Sequence, residues 1–172
     1  NKYMEIQKKW AMPSGDTFGI KPIKELFDKY NEGGVIIDPF AKDCKLGTIR
    51  NDLNPNCDTQ YHLDALKFLQ GQKSNSADMV LYDPPYSVTQ ASLLYKDFGK
   101  EKLEVNVSNA KYWSLCKKEI ARILKNEGIC ISCGWNTQGI GKCNGAVCKE
   151  ILIVAHGGSH NDTLVTVDEI KK

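Results

Sequence analysis

The strongest chemical signal in the chain is the tetrapeptide Asp83-Pro84-Pro85-Tyr86, which directly follows an apolar run at residues 79–82. The run predicts a buried strand, and two consecutive prolines must end that strand because they lack amide hydrogens and hold φ fixed. The result is a stiff tip that carries a carboxylate, a rigid carbonyl and an aromatic ring. Asp and Pro are also common in ordinary turns, so the tetrapeptide alone leaves both interpretations open.

Two further apolar runs end on acidic residues in the same way. "VIIDPF" stops at Asp38-Pro39, and "LGTIRNDLNP" stops at Asp52 and the residues that follow it. In an open parallel sheet, ligands bind beyond the carboxyl ends of the strands. Three acidic side chains at such ends are suited to accept hydrogen bonds from ribose hydroxyls, amines or a cationic ligand.

The elements that must position these residues alternate between strands and helices. Helical spacing predicts a helix over residues 20–30, a short helix after Asp64 and a helix within residues 108–126 that ends at Gly128. The runs "EILIVAH" and "DTLVTVDEI" predict a closing hairpin that adds an antiparallel edge. Because several runs are apolar on both faces, we expect a single α/β domain with flanking helices around a mostly parallel sheet.

Composition limits the function classes only loosely. The 172 residues suit one domain, and a net charge of +2 permits a polyanionic partner without arguing for one. No apolar run approaches the ~18 residues of a membrane helix, and no export signal is recognisable. Seven cysteines without such a signal predict a reducing, cytoplasmic location. Cys130 and Cys133 lie at odd spacing in a predicted strand and point to opposite faces, so we expect no metal site.

With these residues in view, the chain resembles the S-adenosylmethionine-dependent, adenine-specific DNA methyltransferases that carry a DPPY motif. The small forms encoded by phages and mobile elements look most similar, and the resemblance covers nearly the whole chain. It implies a Rossmann-like methyltransferase domain over residues 1–172, with S-adenosylmethionine as cofactor. The predicted cofactor-binding residues lie at the strand ends, before the second helix and in residues 12–18: Pro13, Thr17, Phe18, Asp38, Pro39, Phe40, Ala41, Asp52 and Asp64.

The same resemblance implies the catalytic roles. The Asp83 carboxylate and the Pro84 carbonyl accept hydrogen bonds from the exocyclic amine of adenine, while Pro85 stiffens the tip. Tyr86 stacks on the base after it has been flipped out of the duplex, which offsets part of a cost of a few kcal/mol. Of the cofactor residues, Asp52 is expected to hold the ribose and Asp64 to meet the adenine ring.

The chain departs from the family pattern in its cofactor loop. Lys42 and Cys44 stand where the family usually has glycines, which allow φ > 0 and a close approach of the backbone. Only residues 39–47 join the first two predicted strands, too few for a crossover helix, so we expect that helix to be lost or reduced to a turn. The pocket is then remodelled, weak, or completed on binding.

The chain has no room for a separate target-recognition domain. Residues 87–109, in which aromatic and basic side chains alternate, are the candidate substrate loop. The sequence leaves open low specificity, a partner protein that supplies recognition, or a substrate other than duplex DNA; DNA is favoured over RNA by resemblance. A non-catalytic module that binds nucleic acid or a partner is the alternative from another class. An oxidoreductase is disfavoured because no Gly-x-Gly-x-x-Gly turn follows the first strand.

Histidine and tryptophan have plainer interpretations. His156 and His160 flank a predicted hairpin loop, which favours a turn or surface role over metal ligation. Trp10, Trp113 and Trp135 are expected to anchor the core, although Trp135, just past a strand tip, is a candidate for the site.

Overall fold

One sheet of seven strands organises the part of the chain that the computed structural model describes, residues 3–85 and 110–172. The strands are β1 (Glu5–Trp10), β2 (Ile36–Asp38), β3 (Ile49–Arg50), β4 (Ala77–Tyr82), β5 (Leu124–Gly134), β6 (Ala146–Ala155) and β7 (Thr163–Ile170). The helices are α1 (Lys21–Tyr30), α2 (Ala65–Gln70) and α3 (Ala110–Ile123), with short 3₁₀ turns at Thr17–Gly19 and Lys142–Asn144. Among these residues no helix is long and apolar enough to cross a membrane.

The strand order is β1-β6-β7-β5-β4-β2-β3, and every neighbouring pair is parallel except the two that involve β7. The mostly parallel sheet with an antiparallel C-terminal hairpin is therefore confirmed. The expectation that the hairpin forms an edge is wrong, because β7 lies between β5 and β6. The edge on that side of the sheet is β1, which the sequence does not predict: its residues EIQKKW lack an apolar run and are mostly exposed.

Each face of the sheet carries its own core. The helix α1 packs Ile23, Leu26 and Phe27 on one face, while α2 and α3 cover the other with side chains that include Phe68 and Tyr112. The central strand β4 alternates between the two cores and is almost entirely buried. As their spacing predicts, Cys130 lies in one core and Cys133 in the other.

The connection between β2 and β3 contains turns and no helix, as expected from its length. Thr48 fastens its far end to β2: its hydroxyl accepts from the Ile36 amide at 2.9 Å and donates to the Ile36 carbonyl at 3.1 Å. The short connection therefore returns the chain to a parallel neighbour without a covering helix. The strand order reverses between β2 and β4, which makes this end of the sheet the expected ligand site.

The end of α3 differs from the expectation. The helix ends at Ile123 instead of at Gly128, since Leu124 already pairs with Ala77 of β4. The register then jumps to Met79 opposite Ile129, so the residues between Leu124 and Ile129 form an irregular bulge in β5. Glu127, at φ 66°, takes the turn within that bulge.

Candidate active site

A cavity of about 820 Å³ lies at the carboxyl ends of the central strands. Two predicted catalytic groups, Asp83 and the Pro84-Pro85 pair, form one side of it. Its walls also contain many of the predicted cofactor residues: Pro13, Thr17, Pro39, Phe40 and Asp52. The structure thus brings together, around one space, residues that are 70 positions apart in sequence.

A smaller pocket of about 210 Å³ adjoins this cavity and shares Thr17, Phe40 and Asp83 with it. The remaining cofactor candidates from the strand end and the first turn, Phe18, Asp38 and Ala41, line the smaller pocket.

Asp38 is the most unusual group in this pocket. It is 1% exposed, and its Oδ1 accepts from the Phe40 amide at 3.2 Å, but its Oδ2 has no hydrogen-bond partner among the described residues. Burial raises the pKa of the Asp38 carboxyl well above its usual range, the Phe40 amide opposes this, and the carboxylates of Asp83 and Asp52 add to it. A buried acceptor without a donor is costly, so this oxygen is a candidate to receive a donor or a cation from a ligand.

Asp52 organises the loop of residues 39–47, in which Lys42 and Cys44 stand where the family usually has glycines. Its Oδ2 accepts from the Lys42 amide at 2.8 Å and its Oδ1 from the Asn54 amide at 2.9 Å. Lys42 adopts the left-handed backbone conformation, at φ 50°, without being glycine. That conformation costs roughly 1–2 kcal/mol. The hydrogen bond from the Lys42 amide to the charged Asp52 carboxylate can offset this cost, since such bonds contribute about 1.5–3 kcal/mol. The loop therefore keeps the shape that a glycine would allow.

Asn51 is a structural residue that the sequence analysis missed. It is fully buried, and its Nδ2 donates to the carbonyls of Pro39 at 3.1 Å and Leu63 at 3.0 Å. Its backbone carbonyl accepts from the Ala41 amide at 2.9 Å. Asn51 thus ties the ends of β2 and β3 to the segment before α2, a role that no local sequence pattern indicates.

Asp64 lies outside both pockets, in contrast to its neighbours Leu63 and Ala65, which line the large cavity. Its Oδ2 accepts from the amides of Leu66 at 3.1 Å and Lys67 at 3.2 Å, as the N-cap of α2. Its Oδ1 accepts from the Tyr112 hydroxyl at 2.7 Å. Its carboxylate caps α2, because a helix that begins at Ala65 needs an acceptor there; the contact of Asp64 with an adenine ring stays a prediction.

His156 holds the opposite wall. Its Nδ1 lies 2.9 Å from the Ala11 carbonyl, which can only accept, so Nδ1 donates; its Nε2 lies 2.7 Å from the Thr163 hydroxyl, within hydrogen-bond distance. This histidine is 7% exposed, so the expected turn or surface role is wrong for it. It fastens the segment after β1, which leads to Pro13 and Thr17, to the β6–β7 loop; His160 also lines the cavity.

A second cavity of about 740 Å³ lies on the α3 side, and Pro84, Pro85 and Trp135 line both cavities. Trp135 is 47% exposed and stays a candidate for the site, whereas Trp113 packs against the core with Phe40 at 6.1 Å between ring centroids. Trp10 is 63% exposed, so the expectation that it anchors the core is wrong.

Two predicted features lie outside the described residues: Tyr86 and the candidate substrate loop 87–109. Within the described residues, no three His, Cys, Asp or Glu side chains are grouped so as to hold a metal ion.

Comparison of the sequence with protein-family models gives no match, and comparison with curated proteins gives none either. Solved structures do match. The Burkholderia thailandensis 1,6-didemethyltoxoflavin-N1-methyltransferase, determined with 1,6-didemethyltoxoflavin and S-adenosylhomocysteine, is 9% identical at a TM-score of 0.60, over 87% of this chain and 76% of that one. The N-methyltransferase NodS from Bradyrhizobium japonicum WM9 is 9% identical at a TM-score of 0.57, over 88% and 96%.

TrmN from Thermus thermophilus is 14% identical at a TM-score of 0.55, over 88% of this chain, which spans 49% of TrmN. At these identities the likeness shows a shared fold. The chain has the Rossmann-like fold of S-adenosylmethionine-dependent methyltransferases, in a single α/β sheet.

Proposed function

We propose that this chain transfers the methyl group of S-adenosylmethionine to the exocyclic amine of adenine in DNA. The observation that carries the proposal is one cavity at the carboxyl ends of β2, β3 and β4, in which Asp52 and Asp83 meet the Pro84-Pro85 tip. Two of the similar structures are of enzymes named N-methyltransferases, which is consistent with an amine as acceptor.

The residues around the cavity fit the cofactor. S-adenosylmethionine supplies an electrophilic methyl group on a sulfonium cation, and it presents an ammonium group and two ribose hydroxyls as donors. The unpartnered Oδ2 of Asp38, in the pocket shared with residues 15–18, suits the ammonium end. Asp52 suits the ribose, because a carboxylate has about four acceptor positions and two backbone amides use only two of them.

The Asp83 tip then orients the acceptor. The lone pair of an aromatic amine is delocalised into its ring, which makes the nitrogen a poor nucleophile. The Asp83 carboxylate and the Pro84 carbonyl each accept a hydrogen bond from the amine. These two hydrogen bonds push the nitrogen towards tetrahedral geometry and hold it in line with the sulfonium methyl group. Alignment of this kind supplies ~7–11 kcal/mol of barrier reduction. The proton leaves late, to Asp83 or to water, once the methylated amine has become acidic; Tyr86 would stack on the base.

The choice of adenine in DNA, in a cytoplasmic setting, rests on the resemblance of the tetrapeptide and its neighbours to the family. RNA adenine is the alternative acceptor within the same chemistry. Recognition of the target would fall to residues 87–109 or to a partner protein. The non-catalytic alternative relied on the missing glycines at Lys42 and Cys44, and it is weakened because Lys42 takes the left-handed conformation without one.

The test is transfer of a labelled methyl group to unmethylated duplex DNA, with RNA in parallel and identification of the modified nucleoside. We expect methyladenine in DNA, and a loss of about 10²-fold or more for Asp83→Ala and Asp83→Asn. Asp28→Asn, at an exposed site on α1, is the matched control and should keep full activity. Substantial transfer by both Asp83 variants would refute the catalytic assignment. If the chain neither transfers a methyl group nor binds the cofactor in a titration, the proposed methyltransferase activity is refuted.

A further inference from the structure

The N-terminal edge of the sheet carries an uncovered apolar surface. Among the described residues, five of the nine exposed large hydrophobic side chains lie within residues 3–12: Tyr3, Met4, Ile6, Trp10 and Met12. Helix α1 lies on the side of the opposite face of β1, where Lys29 forms an exposed ion pair with Glu5 at 3.1 Å. Exposed apolar side chains in one contiguous segment indicate a contact surface more than chance exposure does.

The outer edge of β1 also has backbone groups without a partner among the described residues. In that part of the chain β1 pairs only with β6, in regular parallel register. The Ala11 amide donates to the Ala155 carbonyl at 3.1 Å, so the odd-numbered residues of this segment point their backbone groups at β6. Because these directions alternate along a strand, the amides and carbonyls of Ile6, Lys8 and Trp10 point outward, where another strand can pair with them.

We propose that β1 pairs antiparallel with β1 of a second copy of this chain, about a two-fold axis through Gln7. Such an axis keeps the two faces of the sheet continuous, so each residue must lie opposite one of the same parity. Among the registers that meet this condition, the one centred on Gln7 brings Glu5 opposite Lys9 of the second copy, twice by symmetry. It also brings Met4 opposite Trp10, an apolar pair on the uncovered face.

Backbone geometry supports the same register. Ile6, Lys8 and Trp10 become hydrogen-bonded positions, while Glu5, Gln7 and Lys9 become non-hydrogen-bonded positions, at which opposed side chains lie closer together. Lys8 lies opposite Ile6 of the second copy and can cover it with its aliphatic stem. A register shifted by two residues either way loses the Glu5–Lys9 pair, so the charges specify one alignment.

The pairing joins two sheets into one of 14 strands, twice the seven described here. Because the paired strands run in opposite directions, the two active-site cavities open at opposite ends of the joined sheet. Each copy therefore works independently, and dimerisation leaves the rate per site unchanged. An interface of two short strands is small, so the association is weak and concentration-dependent.

The experiment is sedimentation equilibrium of the full chain from about 5 to 500 µM, a range that spans weak interfaces. Two single variants test the register, Glu5→Lys and Lys9→Glu. Each alone places like charges opposite each other across the two-fold axis, and should raise the dissociation constant about tenfold or more. An equimolar mixture of the two restores both attractive pairs and should form a heterodimer as tight as the wild-type dimer.

Lys24→Glu, an exposed substitution on α1 outside the pairing edge, is the control and should leave the dissociation constant unchanged. Circular dichroism establishes that each variant is folded. A wild-type chain that stays monomeric over the whole range would overturn the proposal. Dimerisation that both single variants leave unchanged, or a mixture no tighter than the single variants, would also overturn it. None of these outcomes depends on methyl transfer, so the two proposals stand or fall separately.

Discussion

The substitution Asp38→Asn should stabilise the protein while weakening its affinity for the cofactor. Asp38 is 1% exposed, and its Oδ2 has no partner among the described residues. An unsatisfied buried group costs about 1–3 kcal/mol, and a charged group costs more than a neutral one. Asparagine keeps a side-chain oxygen that accepts from the Phe40 backbone amide. It also replaces the negative charge that the carboxylates of Asp83 and Asp52 repel with a neutral side-chain amide. We expect a gain of about 1–3 kcal/mol, equivalent to roughly 2–12 °C in Tm for a chain of this size.

The pH dependence of this gain follows from the raised pKa of Asp38. In the unfolded chain its pKa is about 3.9, and in the folded protein burial raises it well above that value. Between the two values the folded state binds more protons, so Asp38 lowers the free energy of unfolding progressively as pH rises through this window. Above the folded pKa the penalty is complete and constant. The advantage of Asp38→Asn should therefore grow from pH 4 upward and then level off.

Thermal unfolding of both proteins from about pH 4 to 9, with and without S-adenosylhomocysteine, measures both effects, because ligand binding shifts Tm by mass action. The wild-type protein should gain more from the ligand than Asp38→Asn does. Asp28→Asn, which removes only an exposed pair with Lys24, is the control and should change stability by about 0–1 kcal/mol. A variant that is less stable than wild type at pH 8 would refute the claim that this carboxylate is an unmet acceptor.

Three further substitutions test individual contacts. Asp64→Ala should lower the free energy of unfolding by about 2–4 kcal/mol, because it removes the cap of α2 and the hydrogen bond that Asp64 accepts from the Tyr112 hydroxyl. A loss of cofactor affinity at unchanged Tm would instead place Asp64 in the cofactor site. Lys42→Gly should change Tm little, whereas Lys42→Val should lower Tm, since a β-branched residue is poorly tolerated at φ 50°. Equal Tm values for the two variants would contradict the left-handed backbone conformation at residue 42. His156→Ala should raise the KM for S-adenosylmethionine more than it lowers kcat in the methyl-transfer assay, because the segment after β1 loses its anchor. The control Thr163→Ser keeps the hydroxyl and should match wild type. An unchanged KM for His156→Ala would show that His156 does not affect cofactor binding.

The sequence predicts the cavity better than it predicts the scaffold around it. Asp38-Pro39 and Asp83-Pro84-Pro85 each mark a strand end, since an acidic residue before proline stops an apolar run unambiguously. Parallel strands then deliver both ends to one edge of the sheet, which is why residues far apart in sequence meet in one cavity. The fold class follows from the same alternation of elements.

What the sequence does not predict depends on contacts between distant segments. The strand β1 exists because it pairs with β6, and its own residues carry no strand pattern. Asn51 reads as an ordinary polar residue until the structure joins it to Pro39 and Leu63. Asp64 looks equivalent to Asp38 or Asp52 in sequence, but only the structure reveals that Tyr112, 48 residues away, uses its second oxygen.

Asp38, Asp52 and Asp64 differ in how many hydrogen-bond acceptor positions remain free for a ligand after the contacts within the protein are counted. Asp64 uses both oxygens on groups inside the protein and lies outside the pockets. Asp52 uses one lone pair of each oxygen on a backbone amide, which shapes the loop and still leaves acceptor positions for hydroxyl donors. Among the described residues, Asp38 retains an entire oxygen without a donor in a buried pocket, and we propose that a ligand supplies that donor. The shortened loop without glycines is therefore compatible with a working cofactor site, because Asp52 shapes the backbone and Asp38 remains available to the ligand.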